Sequence, residues 1–478
     1  MGSEVKLGFV PASRGMFDQA LAVSARDRCV DAFRRAGVEP VVPPGDLTPN
    51  GLVGSAADAA AAARMFRGEG VAGVVIGALN FGNEVPAALA AVDAGEGLPV
   101  MLFGLGEEGV LTREAPRRDA FCGLISIATA LRHREARFVF PEKAVGLSDD
   151  SLAEALSRFG AVCGAVSGVR GAVYGQIGPR PAEFETCAYD ELSLMRKFGI
   201  RVVPLPLSTI YARAAATPEK RNREAYAAME SSVDRSRVSD MGLAKMARLE
   251  VVLEELVEEH GLSGLGIQCW TSMQEDYGIS PCFVMSRLTE RGIPCACEAD
   301  MHGTLSMHLL SLVAGSPAGL ADWNNRHVSR ENVFSAWHCG VFPGSFSSGE
   351  KRLGLHDILE QSTGTDEGKY GTIELSIEGG PVTMARVTEH PWDAWPLLLA
   401  EGRVVDAPGE PSGSHGWVEV ADLDALYADI LRGFPHHTAI ARGSHGSTLA
   451  AAAYFLGLDV VAPLELEAGA LEIGPEPH

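Results

Sequence analysis

A chain of 478 residues exceeds one ordinary hydrophobic core and is expected to divide into two or three domains. Its composition, 46% hydrophobic and 21% charged with Gly 54 and Pro 27 spread along the length, is that of a folded globular protein rather than a disordered or fibrous one. A formal net charge of -22 repels the phosphates of nucleic acid and of anionic lipid, so neither nucleic acid nor membrane is an expected partner, while the choice among small molecules stays open.

The opening residues MGSEVKLGFVPASRG hold no basic stretch followed by an apolar core and a cleavage site, and no run of about 18 apolar residues follows, which predicts a soluble, unexported, cytoplasmic protein. From Lys6 to about Leu105 short β-branched runs alternate with helical patterns: KLGFVPA, a helix to Arg35, VEPVVP, an alanine-rich helix, VAGVVIGAL, another helix and PVMLFGL. Such alternation predicts a mostly parallel, Rossmann-like sheet with functional residues in the loops that follow the strands.

The pattern restarts near residue 170 with RGAVYGQIG, a helix around Glu183 to Phe198, RVVPLPL, two polar helices between Pro218 and His260, LSGLGIQCW and IPCACEAD. After about residue 325 it changes to strand runs separated by Gly, Pro and Asp, as in ENVFSAWHCGVF and GTIELSIEGGPVTMARVTE, before a last helical pair around Leu423 to Leu456. The expected domains are a Rossmann-like α/β domain at 1–165, a second α/β domain at 166–325, and a β-rich domain at 326–478, an antiparallel barrel or sandwich with closing helices packed on it. The nine cysteines are odd in number and show no zinc-like pairing in the sequence, so free, reduced thiols are expected.

A Gly-x-Gly-x-x-Gly string at Gly104, Gly106 and Gly109 is followed by VLTREAPRRDAF, which lacks helical periodicity and is interrupted by Pro116; an ordinary loop is favoured over a dinucleotide turn. Walker, GxSxG, HExxH and CxxC patterns are absent from the sequence. More informative is Gly266 to His308. The strand LSGLGIQCW ends near Trp270, so Glu275 and Asp276 fall beyond its C-terminal edge, and IPCACEAD delivers Glu298 and Asp300 in the same way. A lone acid at a helix start is usually a cap, but two matched loops on neighbouring strands aim carboxylates into one crevice. Glu275 and Asp300 are the favoured pair, with Asp276 and Glu298 as supporting groups.

Histidines supply the remaining chemistry. FPHHTAIARGSHG places His436 and His437 in a loop or short strand, and WHCG places His338 at a strand end. Carboxylate oxygens with one imidazole suit Mn²⁺ or Mg²⁺ better than a thiolate-rich set does.

The run QCWTSMQEDYGISPC, then CEADMHG, WHCG and PHH, resembles in order and spacing the short, divergent branch of the L-fucose/L-arabinose isomerase family. The resemblance is strongest from Gln268 to Gly340 and from Pro435 to Gly446; over the first domain it is only the general βα plan. It implies two Rossmann-like domains followed by a β-rich C-terminal domain, and a Mn²⁺, replaceable by Mg²⁺ or Co²⁺, held by Glu275, Asp300 and His437, with His436 as the alternative histidine. It further implies that Glu275 and Asp300 act as ligands and acid/base groups in an aldose-ketose isomerisation of a pentose or 6-deoxyhexose through a cis-enediol. Family members are homo-oligomers, trimers or hexamers, whose pocket is completed by a neighbour's first domain. Arg14 and Phe81 are the candidates from that domain for sugar contact, beside Trp270 and His338. An epimerase or lyase using the same site, and a non-catalytic sugar-binding protein, are the competing expectations.

Overall fold

The computed structural model describes residues 5–115, 117–356, 370–390, 394–409, 412–466 and 471–475. The chain forms two compact units: one takes the described residues up to Ser167 with Ser447–Gly457 and 471–475, and the other takes Gly168–Gly446 and 458–466.

In the first unit β1 (Lys6–Ala12), α1 (Gln19–Arg35), β2 (Glu39–Val41), α2 (Ala56–Glu69), β3 (Gly73–Ala78), α3 (Glu84–Val92), β4 (Val100–Gly104), α4 (Ala120–Arg132) and β5 (Val139–Pro141) alternate, and α5 (Asp149–Val169) leads out of the unit. The five strands are parallel in the order β5-β4-β3-β1-β2. All six residues of β3, GVVIGA, are buried, as a central parallel strand covered on both faces requires. Local signals set the helix ends: Ser55 and Asp58 form a reciprocal capping box on α2, and Gly70 closes it in the left-handed conformation. The glycine string after β4 runs into a loop and α4 starts only at Ala120; Pro116 lies outside the described residues. Of the described helices, α5 alone is long and apolar enough to cross a membrane, and more than half of that stretch is buried in the fold.

The second unit opens with four parallel strands, β6 (Val173–Ile177), β7 (Arg201–Leu205), β8 (Gly264–Ile267) and β9 (Cys295–Ala296), in the order β7-β6-β8-β9. Between them run α6 (Glu191–Phe198), α7 (Leu207–Ala216), α8 (Glu219–Glu230), α9 (Asp240–His260) and α10 (Cys282–Glu290), with α11 (Met301–Ala314) after β9. The helix expected from Glu183 begins later, at Glu191, because the Asp190 side chain accepts the N–H groups of Leu192 and Ser193 and so sets the first turn there.

The β-rich part begins inside the same unit with β10 (Gly319–Arg326) and β11 (Val333–His338), followed by β12 (Arg352–Leu355), β13 (Tyr370–Ser376), β14 (Gly380–Val387), β15 (Pro396–Val404), β16 (Ser414–Glu419), α12 (Leu423–Ile430) and β17 (His437–Arg442). Six of these strands close on themselves, β16-β11-β10-β17-β14-β15 and back to β16, with every pairing in the ring antiparallel. Strands β12 and β13 extend the ring on one side, and β18 (Asp459–Val461) adds to β15 in parallel. Closure removes the exposed edges that an open sheet would leave. Helix α11 packs on β14 and β17 of the barrel and on β8 and β9 of the parallel sheet, so the two sheets share it. Most of α13 (Gly446–Leu456) clusters with the first unit instead of closing the β-rich part as expected, and β19 (Leu471–Ile473) pairs antiparallel with β5.

Candidate functional site

Where β9 ends, the chain makes a single tight turn, Cys297–Ala299, before α11. Glu298 and Ala299 both stand at φ 53, a left-handed conformation that costs a residue with a Cβ roughly 1–2 kcal/mol. Two such residues in succession turn the CEAD segment sharply enough that Asp300 becomes the cap of α11, accepting the Gly303 N–H at 2.8 Å. Interactions from other elements offset the strain. The Cys269 thiol donates to Glu298 Oε1 at 3.3 Å, and Arg386 of β14 grips both oxygens of Asp300, Nη1 to Oδ2 at 2.5 Å and Nη2 to Oδ1 at 3.0 Å.

His437, the first residue of β17, lies between these acids. Its Nδ1 is 2.8 Å from Asp300 Oδ2 and its Nε2 is 2.9 Å from Glu298 Oε2. Register brings a third carboxylate, because β10 pairs with β17 so that Asp322 stands opposite His437, with Oδ1 3.7 Å from Nε2. His338 ends β11, the strand on the other side of β10, and its ring centre is 5.5 Å from that of His437. One donor atom from each of Asp322, His338 and His437 lies within 4.8 Å of the other two, and the same holds for Cys187, Glu298, His436 and His437.

The electrostatics follow from packing charges together without water. Burial alone would depress the His437 pKa, but hydrogen bonds to Asp300, Cys187 and Glu298 raise it well above its usual value. For Asp300 burial is likewise opposed and outweighed, by Arg386 and then His437, which hold the carboxyl well below its usual range. Burial dominates at Asp322 and pushes its pKa up, while His338 is raised to about 9 against burial, by Cys339 and then Asp322 and Glu298.

Of the residues singled out in the sequence, the structure gathers Glu298, Asp300, His338, His436 and His437. Trp270 stands on one wall, its ring 5.5 Å from Phe184, which is in turn 5.9 Å from His436. Glu275 belongs to none of these donor groups: it is exposed on the short helical turn Met273–Tyr277, and its side chain makes no hydrogen bond or ion pair among the described residues. Asp276 is exposed beside it. Arg14 and Phe81 meet in the first unit, on the loops after β1 and β3, with the guanidinium 4.4 Å from the ring centre and Arg14 also tied to the Gly82 carbonyl and Glu84.

Asp322 and Arg386 were not singled out in the sequence. Arg386 had a signal: it is a charge inside PVTMARV, a strand whose last six residues are buried, and a charge in such a place needs a partner. Asp322, in GLADWNNR, carries no comparable mark.

The donor set fits a divalent cation. Glu298 Oε2 and Asp322 Oδ1 are buried and both face His437 Nε2, at 2.9 and 3.7 Å, and Asp322 Oδ1 has no hydrogen-bond partner among the described residues. Two carboxylate oxygens converging on an imidazole nitrogen are the ligand types that a hard or borderline cation takes.

Comparison with known proteins adds a second line. The family model for the fucose/sulfoquinovose isomerase N-terminal domain matches residues 8–170, and that for the L-fucose isomerase C-terminal domain matches residues 336–462, together more than half of the chain. A sulfoquinovose isomerase from Alkalicoccus urumqiensis is 31% identical over 269 residues, 55% of this chain and 57% of the relative. One from Priestia megaterium (strain ATCC 12872 / QMB1551) is 27% identical over 356 residues, 72% and 75% of the two chains, and one from Clostridium sp. (strain MSTE9) is 24% identical over 296 residues, 59% and 63%. The chain thus spans less than two thirds of the length of the first of these relatives.

Proposed function

The chain belongs to the fucose/sulfoquinovose isomerase family, and on that premise we propose that it is a cytoplasmic, divalent-cation-dependent aldose-ketose isomerase acting on a pentose or a 6-deoxyhexose, sulfonated sugars such as sulfoquinovose included. The observation that carries this reading is the His437 imidazole buried between Asp300 and Glu298, with oxygens of Glu298 and Asp322 converging on its Nε2.

His437, Glu298 and Asp322 are the residues that would hold Mn²⁺, or Mg²⁺ or Co²⁺ in its place, with His338 adjoining. A cation there supplies Lewis-acid polarisation of the sugar's carbonyl oxygen. Asp300 accepts the Nδ1 proton of His437, which orients the ring so that Nε2 faces Glu298 and Asp322; a cation held there would take the place of the Nε2 proton. Arg386 keeps Asp300 ionised and immobile, so the imidazole cannot turn. Isomerisation moves a proton between C1 and C2 through an enediol, which needs a carboxylate with free oxygens; Glu275, unpaired on the loop after β8, is assigned that role. Trp270 and Phe184 offer aromatic faces to the apolar side of a sugar. The working unit is a homo-oligomer, trimer or hexamer, in which Arg14 and Phe81 of one copy complete the pocket of another.

The test is ketose formation from a panel of aldopentoses, 6-deoxyhexoses and sulfoquinovose by the purified protein, with Mn²⁺ and after chelation. Cation-dependent ketose from one of them supports the reading and names the substrate. Cation binding without ketose from any sugar overturns it in favour of an epimerase or lyase.

A further inference from the structure

Beside the carboxylate cluster lies a second group of donors of different chemistry. Cys269 follows β8, Cys282 opens α10, Cys297 follows β9 and Cys339 follows β11, and all four thiols are buried. The Cys282 and Cys339 sulfurs are 3.5 Å apart. His356, which follows β12, completes a triad in which one donor atom each of Cys282, Cys339 and His356 lies within 4.8 Å of the others. Cys297 and His338 form a further triad with Cys339.

The histidine is the decisive member. His356 is 2% exposed, and neither of its ring nitrogens has a hydrogen-bond partner among the described residues. A neutral imidazole carries one N–H and one lone pair, and leaving both unsatisfied in a buried site costs on the order of 1–3 kcal/mol for each group. The Trp270 ring stands edge-on at 5.6 Å and offers no acceptor in exchange. A cation bound by the imidazole would remove that penalty. The sulfur spacing agrees: two thiolates on one tetrahedral metal, each bond about 2.3 Å, lie about 3.8 Å apart, close to the separation seen here.

We propose that Cys282, Cys339 and His356 form a second metal site, which takes a soft divalent cation of the zinc type, with the adjoining Cys297 as fourth ligand and third thiolate. Sulfur and imidazole select zinc over manganese or magnesium, whereas the Glu298, Asp322 and His437 set has the opposite preference. On binding, each coordinating thiol gives its proton to solvent and no electron moves. The metal would tie the start of α10 to the ends of β11 and β12, segments with no covalent link nearer than the chain itself. The proposal does not depend on the isomerase reading, since it concerns occupancy and not turnover.

Cobalt is the probe. Reduced, chelator-treated full-length protein titrated with Co²⁺ is expected to develop sulfur-to-cobalt charge-transfer absorption that saturates at a single equivalent and is bleached by Zn²⁺. The band is expected to vanish in Cys282→Ser and in Cys339→Ser, to weaken in His356→Asn, and to persist in Asp322→Asn, which alters the carboxylate set. Because a serine variant can fail to fold, alkylation of the unmodified protein is followed as well, with Cys282 and Cys339 expected to react at least about tenfold more slowly with zinc than after chelation. No charge-transfer band in folded protein, equal alkylation in both states, or recovery of Cys282 and Cys339 as a disulfide under reducing conditions would each overturn the proposal.

Discussion

Asp300 and Arg386 form a two-point ion pair in which neither side chain is more than 1% exposed. A carboxylate so placed has no water to fall back on, so the guanidinium is what permits its charge. Arg386→Met should therefore lower stability by about 3–5 kcal/mol, as removal of one partner from a buried pair does. Urea unfolding followed by circular dichroism measures it. A loss of only about 1 kcal/mol would mean that water reaches the pair.

The same pair ranks the metal-site variants. Asp300→Asn removes the charge that orients His437, an indirect change that weakens metal binding about 10- to 100-fold, while Glu298→Gln and Asp322→Asn each remove a ligand and should weaken it further. Calorimetric titration with Mn²⁺ gives the order. If Asp300→Asn proves the weakest binder, Asp300 ligates the cation directly, as the family resemblance implies.

Glu275 is separable from the cluster because it belongs to none of the donor groups among the described residues. As the proton-transferring acid, its replacement in Glu275→Gln should reduce kcat by roughly 100-fold or more while leaving Mn²⁺ affinity unchanged. Loss of Mn²⁺ affinity in that variant would instead make it a ligand.

His308 of α11 makes the stability of the second unit depend on pH. Burial lowers its pKa to about 4 from 6.5, so the folded state holds it neutral, with its Nδ1 hydrogen-bonded to the Tyr174 hydroxyl at 3.0 Å. The unfolded chain binds the proton first as pH falls; the stability is thus fully present above pH 6.5 and is lost progressively down to about pH 4. The total is on the order of 3 kcal/mol. Unfolding curves from pH 7.5 to 4 should show a shallower decline in His308→Gln than in the unmodified protein, and parallel curves would refute the assignment.

In the first unit, α4 presses on the loop that carries Phe81: a Cβ on Gly123 would stand 1.7 Å from the Phe81 carbonyl oxygen. Gly123→Ala must therefore displace that loop or cost about 1–3 kcal/mol in overpacking. If Phe81 contacts the sugar of a neighbouring copy, Gly123→Ala and Phe81→Ala should both raise KM more than they lower kcat. Light scattering checks the oligomer in both variants. Unchanged kinetics in an intact oligomer would remove Phe81 from the pocket.

Much of the architecture was legible in residue patterns, for a local reason. Burial of GVVIGA on both faces, the Ser55 capping box and the spaced strands after residue 325 depend on neighbours within a few positions, and those neighbours are printed in the sequence. The site was legible in part: CEAD and PHH announced themselves as acids and imidazoles at strand ends, and the structure brings Asp300 and His437 within 2.8 Å. Which acid stands closest to Nε2 was not legible. Glu298 reaches it through two successive left-handed residues, and no rule for a residue with a Cβ anticipates that turn.

The sequence by itself determined the alternating α/β plan, the change to a β-rich part, the net negative charge, and the chemical kinds of residue available for catalysis. Tertiary structure alone decided which of them meet. Asp322 faces His437 only because β10 and β17 pair in one register, in which a slip of one residue would turn it to the other face of the sheet. Cys282, Cys339 and His356 converge only because α10 packs beside strands that follow it by dozens of residues. Periodicity is a local property of the chain, whereas register and closure are set by the packing of the whole barrel, and the donors of both proposed metal sites lie where those long-range constraints act.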